Sequence, residues 1–283
     1  MIRMAIQAKG RLSEESADLL AEAGLCVDES KRKLVAKCKW FPMEVLYLRD
    51  DDIPQAVSMG VADIGIVGLN EVEEKQFDVD KIYSFSFGKC RMSLAVPRGE
   101  EYPDSSSFQG KRIATSYPKI LEKYLLNSGV QAEIHQIAGS VEIAPSVGLA
   151  DAIFDIVGTG GTLISNGLKE VITVMDSNAV LISTPGLNGE KRDLLNQLVT
   201  RFESVERSKG MKYLLMNLPG NVLDEAISLL PGMRSPTILP LAQKGWCSLH
   251  VVVYEADLWP RLEKLKSLGA EGILVLSLEK MVP

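Results

Sequence analysis

The chain has 283 residues, of which 46% are apolar and 24% charged, a length that suits about two domains. Its 31 basic and 37 acidic residues leave a formal charge of −6, which disfavours a duplex nucleic-acid binder. With only two histidines, His135 and His250, and four scattered cysteines, a His-rich metal site, paired Cys-x-x-Cys zinc sites and a disulfide scaffold are all excluded.

Apolar runs of strand length alternate with helix-period segments over the first 180 residues. The N-terminal stretch Met1–Ile6 is too short an apolar run for a signal peptide and reads as part of a first strand, Ile2–Gln7. No apolar run approaches the roughly 18 residues of a membrane span, so a cytoplasmic protein without membrane or nucleic-acid partners is expected. A helix over Ser13–Gly24 follows, with Ser13 as its cap. Strand Met43–Leu48, a short helix Asp50–Met59 and strand Ala62–Gly68 come next. Such alternation predicts βαβ units in a mostly parallel sheet.

The pattern restarts after Cys90. Strands are expected at Met92–Val96, Arg112–Thr115, Ala132–Ile137 and Ile153–Val157, with helices at Tyr117–Leu126 and near Glu142–Leu149. Lys169–Ser183 is strand-like and long enough to return to the first lobe. Two similar lobes joined by two crossings would enclose a cleft at the carboxyl ends of their strands. A helix from Glu190 to about Lys209 leads into a different register. Strand Met211–Leu218, helix Asn221–Leu230, strands near Thr237–Leu241 and Trp246–Tyr254, helix Glu255–Leu268 and strand Ile273–Ser277 make a ferredoxin-like βαββαβ unit. The expected division is 1–90 with 181–210 as one lobe, 91–180 as the other, and 211–283 as the tail. His250, within the apolar run Leu249–Val253, reads as structural.

The strongest chemical signal follows Asp155: Gly158-Thr159-Gly160-Gly161-Thr162-Leu163 joins a buried strand to a helix. Glycines admit close backbone approach, amides at the helix start point at a ligand, and the threonines add hydroxyl donors. The loop suits phosphate, yet it is neither a Walker A loop nor a dinucleotide fingerprint. Asp155 suits ribose hydroxyls, a metal, or a nearby Lys. Glu142, in a loop entering a helix capped by Ser140, suits ribose or Mg²⁺ as well as the helix start itself. Lys9 and Arg11 flank Gly10 at the end of the first strand, and Arg49 follows the strand Met43–Leu48. Each can meet an anion or remain solvated. Asp63 either faces the cleft or begins a strand. Thr115 and Tyr117 either bind phosphate and base or belong to a helix entry capped by Ser116.

Together these segments resemble ATP phosphoribosyltransferase in its long form. The resemblance rests on "GRLSEES", "LRDDDIPQAV", "GVADIGIVG", "CRMSLAVP", "GKRIATSYP", "GSVEIAPSVGLADAIFDIVGTGGTL", "ISNGLKEV", "SPTILPLA" and "ILVLSLEKM", in family order and over nearly the whole length. Gly158 and Gly161 stand where relatives often carry other residues. The resemblance implies two lobes like those of type II periplasmic binding proteins, plus an ACT-like tail. It implies transfer of phosphoribosyl from phosphoribosyl pyrophosphate to N1 of ATP, with Mg²⁺. Glu142 and Asp155 would hold ribose or metal. Gly158, Thr159, Gly160, Gly161, Thr162 and Leu163 would hold the 5-phosphate. Lys9, Arg11 and Arg49 would hold polyphosphate, with Arg49, Asp63, Thr115 and Tyr117 about the ATP. Ser235, Pro236, Thr237 and Gly272 would line a pocket for inhibitory histidine at a subunit interface. A homo-oligomer, dimer to hexamer, without a separate regulatory subunit is implied. The alternative is a non-catalytic two-lobed binding or sensing protein.

Overall fold

In a computed structural model, described for residues 1–27, 34–230 and 236–282, the first strand is β1 (Ile2–Gln7). Its Ile2, Met4, Ala5 and Ile6 are buried, as a strand covered on both faces requires. Helix α1 (Arg11–Glu22) lays Ser16, Leu19 and Leu20 against the sheet. It starts two residues before the expected Ser13, and no side chain caps it. Gly10, at φ 99°, turns the chain directly into the helix instead.

The lobe continues with β2 (Val35–Lys37), β3 (Met43–Leu48), α2 (Ile53–Ser58), β4 (Ile64–Gly68), α3 (Leu69–Lys75) and β5 (Asp80–Ser84). The second lobe holds β6 (Cys90–Pro97), β7 (Arg112–Thr115), α4 (Pro118–Ser128), β8 (Glu133–Gln136), β9 (Ala152–Val157), α5 (Gly161–Ser165) and β10 (Leu168–Ser177). Strand β11 (Ala179–Ser183) returns to the first sheet.

The sheets run β2-β3-β1-β4-β11-β5 and β10-β6-β9-β7-β8. Leaving out β2, each has one plan: first, second and third strands parallel, then a strand donated by the other crossing, then a last strand. The donated strands β11 and β6 lie antiparallel to their neighbours. The sheets are therefore mixed, not mostly parallel. A strand arriving from the other lobe enters from the opposite end. The carboxyl ends of β1, β3 and β4 and of β7 and β9 form the rims of the cleft.

Two expected helices differ. The segment after Ser140 makes only a 3₁₀ turn, Val141–Ile143, and Ser140 sits at φ 50° without a cap bond. Pro145 lacks the amide that would extend it. The expected Glu255–Leu268 helix is divided into two short helices, Glu255–Leu258 and Leu262–Ser267, by a 3₁₀ turn at Trp259–Arg261, where Pro260 falls. Ser116 does not cap α4, because its hydroxyl donates to the Ile137 carbonyl. No helix among the described residues is long and apolar enough to cross a membrane.

The chain divides into two compact units, Met1–Leu195 and Asn196–Pro283, with the boundary inside helix α6 (Gly189–Ser208). Residues 196–210 thus belong with the tail rather than the first lobe. There Ser204 accepts a bond from the Met281 amide and Ser208 donates to the Glu279 carbonyl. The second unit contains β12 (Met211–Pro219), α7 (Leu223–Leu229), β13 (Thr237–Pro240), β14 (Trp246–Tyr254), α8 (Glu255–Leu258), α9 (Leu262–Ser267) and β15 (Glu271–Ser277). Its antiparallel order, β13-β14-β12-β15, is that of a ferredoxin-like sheet. His250 bonds Tyr213 on the neighbouring β12 and Ser248 on its own strand, so its imidazole is structural.

Candidate active site

Two adjoining cavities mark the cleft. The first, of 290 Å³, is lined by Arg11, Glu142 and Asp155 together with residues 156–163. The loop between β9 and α5 forms its floor. Gly160 is required by its backbone, at φ 81°. A Cβ at Gly158 would meet nothing within 4 Å, so that glycine keeps the cavity open rather than relieving strain. Leu163 is buried with Val157 and Leu168 and anchors the loop's far end. Helix α5 has only five residues, so its dipole adds little. The loop's amides and the Thr159 and Thr162 hydroxyls are the donors.

Arg91 of β6 steadies this loop. Its Nη1 donates to the Gly158 carbonyl at 3.0 Å. Its other nitrogens grip both oxygens of Glu170 at 2.5 Å. Ser93 and Thr173 hydroxyls donate to the same carboxylate. Those bonds, the guanidinium's first, hold the Glu170 carboxyl down at about 2. Turning the Gly158 carbonyl toward Arg91 directs a partial negative charge into a bond with a cation.

Asp155 and Glu142 face the same cavity. Burial raises the Asp155 carboxyl to about 6, and the Glu142 charge adds to the rise, against a bond from the Ile156 amide. No group of three or more His, Cys, Asp or Glu suited to a metal occurs among the described residues. Two carboxylates with no ion-pair partner among the described residues nevertheless fit Mg²⁺, which takes few protein ligands and completes its shell from substrate phosphates and water.

The second cavity, of 300 Å³, shares Arg11, Ile156 and Gly158 with the first. It is lined from both lobes, by Gln7, Asp50, Gly68, Asn70 and Glu71 on one side and Cys90 on the other. Glu71 is 5% exposed. Its Oε1 accepts from the Tyr117 hydroxyl at 2.9 Å and from the Asn70 amide at 3.0 Å. Burial, more than the nearby Asp50 charge, pushes the Glu71 carboxyl up to about 7. The Tyr117 hydroxyl is likewise driven far up, by burial and then by Glu71. Glu74 accepts from the Lys119 and Ile120 amides, so a first-lobe carboxylate caps a second-lobe helix.

Several expected residues lie elsewhere. Lys9 is exposed and lines neither cavity. Arg49 is 81% exposed and pairs with Asp51 at 3.3 Å. Asp63 precedes the amino end of β4, opposite the cleft, where it accepts from the Arg3 amide and pairs with Lys191 at 2.7 Å. Thr115 is fully buried and accepts from the Tyr117 amide, so it positions that residue rather than meeting phosphate. Ser235 lies outside the described residues. Pro236 precedes β13 at the one edge of the terminal sheet, with Thr237 on it, and Gly272 is on β15 at the other. Three strand spacings, about 14 Å, separate these edges within one chain. Glu71, Asn70 and Arg91 escaped the sequence reading. The signal for Asn70 and Glu71 was their place just beyond the carboxyl end of β4.

The pattern described as ATP phosphoribosyltransferase matches residues 49–204, and that described as HisG, C-terminal domain, matches 208–280. The chain is 55% identical over 282 residues to the ATP phosphoribosyltransferase of Bacteroides thetaiotaomicron, covering 100% of both chains. The same identity and coverage relate it to that of Parabacteroides distasonis. Among solved structures, the ATP phosphoribosyl transferase (HisG:HisZ) complex from Thermotoga maritima superposes with a TM-score of 0.61 at 30% identity. That match covers 72% of this chain and 99% of the other. The substrate-binding protein of an amino acid ABC transporter has a TM-score of 0.50 at 13% identity, covering 73% and 93% of the two chains, and shows the shared fold alone.

Proposed function

The chain belongs to the ATP phosphoribosyltransferase family, and on that premise we propose that its two adjoining cavities hold the two substrates of the family reaction. It is a pentosyltransferase of histidine biosynthesis, joining ATP and phosphoribosyl pyrophosphate to give N1-(5-phosphoribosyl)-ATP and pyrophosphate. The adenine N1 lone pair forms the new bond to C1 of the ribose. The C1–O bond breaks, and its electron pair leaves with pyrophosphate. N1 carries no proton to remove, so neither histidine is needed. The protein's task is alignment and stabilisation of an oxocarbenium-like state.

The observation that carries this reading is the convergence of a glycine-threonine loop, two unpaired carboxylates and Arg11 on one cavity beside the interlobe cleft. The loop Gly158–Leu163 takes the 5-phosphate, and Arg11, which lines both cavities, takes polyphosphate. Glu142 and Asp155 hold ribose hydroxyls or Mg²⁺. The bound cation would neutralise charge on the leaving pyrophosphate. Tyr117 and Glu71 lie at the nucleotide end. The deciding measurement is pyrophosphate release with each substrate varied in turn. Thr162→Ala should raise KM for phosphoribosyl pyrophosphate and leave KM for ATP unchanged; an unchanged phosphoribosyl pyrophosphate KM removes the loop assignment.

The terminal unit is read as an ACT-like regulatory domain that binds histidine in a cytoplasmic homo-oligomer, dimer to hexamer, without a separate regulatory subunit. Thr237 and Gly272 occupy opposite edges of its sheet, so one pocket containing both requires a second copy of the chain. Sedimentation with and without histidine tests this directly.

A further inference from the structure

Three carboxylates line the second cavity, and they are not equivalent. Glu15 has both oxygens bonded, Oε1 by Arg11 and Oε2 by the Gly88 amide. Asp50 is half-buried. Glu71 is 5% exposed, and both of its bonds, from Tyr117 and Asn70, fall on Oε1. Oε2 has no protein partner among the described residues, and since the side chain lines the cavity it is the carboxyl oxygen left for a ligand, held in orientation by two bonds to its twin. An acceptor that a bound ligand covers discriminates strongly, because a ligand that fails to donate to it leaves it unsatisfied.

The reaction needs adenine N1 at the boundary between the two cavities. The group beside N1 on the ring is the 6-amino group, a donor. We propose that Glu71 is the purine-reading residue: its Oε2 accepts from the 6-amino group of ATP, selecting 6-amino over 6-oxo purines and turning N1 toward the ribose. Tyr117 and Asn70 act as positioning residues, fixing the carboxyl through Oε1. Guanine would direct its 6-oxo acceptor at the same oxygen, so the arrangement rejects GTP by repulsion as well as by loss of a bond. The proposal rests on the reading of this cavity as the nucleotide site.

The test measures binding of three probes to the full-length chain: ATP, purine riboside 5′-triphosphate, which lacks the amino group, and GTP. Wild type should prefer ATP over the riboside by about 10- to 100-fold, the equivalent of one bond to a charged group. Glu71→Ala should shrink that ratio to within about threefold. Glu71→Gln, which preserves shape and whose amide can donate to a 6-oxo group, should narrow the ATP-to-GTP gap by about tenfold. Equal binding of ATP and the riboside by wild type overturns the proposal without any variant. Unchanged ratios in Glu71→Gln overturn it while leaving the nucleotide cavity intact. Failure of ATP to bind wild type overturns the cavity reading, and the proposal with it.

Discussion

The two lobes share one strand plan apart from the added β2, and they diverge at the end of the third strand. In the second lobe, β9 runs into Gly158-Thr159-Gly160-Gly161-Thr162, an open loop of donors. In the first, β4 runs through Gly68 directly into α3, where Asn70, Glu71 and Glu74 are buried. The same scaffold position therefore offers donors to an anion on one side of the cleft and an acceptor on the other. A duplicated architecture fixes where chemistry occurs, and the few residues after the strand fix its sign.

That contrast can be broken from either side. The largest effect is expected in stability. A carboxyl raised from 4.5 to about 7 in the folded state contributes stability that is full below pH 4.5 and is lost as pH rises through 7. Glu71→Gln removes the ionisation. Its unfolding free energy, from urea titration, should gain on wild type as pH rises from 4.5 to 7, by about 3 kcal/mol at most. Parallel pH profiles for the two proteins contradict a Glu71 carboxyl raised by burial. The Glu170 carboxyl, held at about 2, loses its contribution only as pH falls below its unfolded value toward 2, so the two windows do not overlap.

On the donor side, Gly158→Val fills the open space before the loop. It should lower kcat/KM for phosphoribosyl pyrophosphate by about 100-fold, as misplacement of a reacting group does. Retained activity would mean that the 5-phosphate binds elsewhere. Arg91→Gln frees the Gly158 carbonyl to face the phosphate. About a tenfold rise in KM for phosphoribosyl pyrophosphate should follow, with KM for ATP unmoved. Equal changes in both would reduce Arg91 to a general structural role. Thr162→Ala removes a single neutral hydroxyl, and about a fivefold rise in the same KM is expected.

The donor side was legible in the sequence because it is contiguous. Residues 155–163 carry their own strand end and turn, so their arrangement follows from short-range backbone geometry. The acceptor side was not. Helix α3 buries Asn70, Glu71, Val72 and Glu74, a polar face that periodicity cannot distinguish from a solvated one. Strand β5 was missed for a related reason: Asp80-Lys81-Ile82-Tyr83-Ser84 has no buried side chain to give it a period.

By itself, then, the sequence determined the alternation that makes two α/β lobes, the βαββαβ tail and the glycine-threonine loop between a strand and a helix. These depend on local propensity, period and composition. Only the tertiary structure decided which charges face the two cavities. Arg11 faces both cavities, while Lys9 and Arg49 do not, and Asp63 sits at the wrong end of its strand. Tyr117 reaches Glu71 across 46 residues, and Arg91 reaches Gly158 across 67. Such partnerships depend on strand order and register, and on the desolvation that assembled lobes impose on a carboxyl. Neither is set by any short stretch of chain.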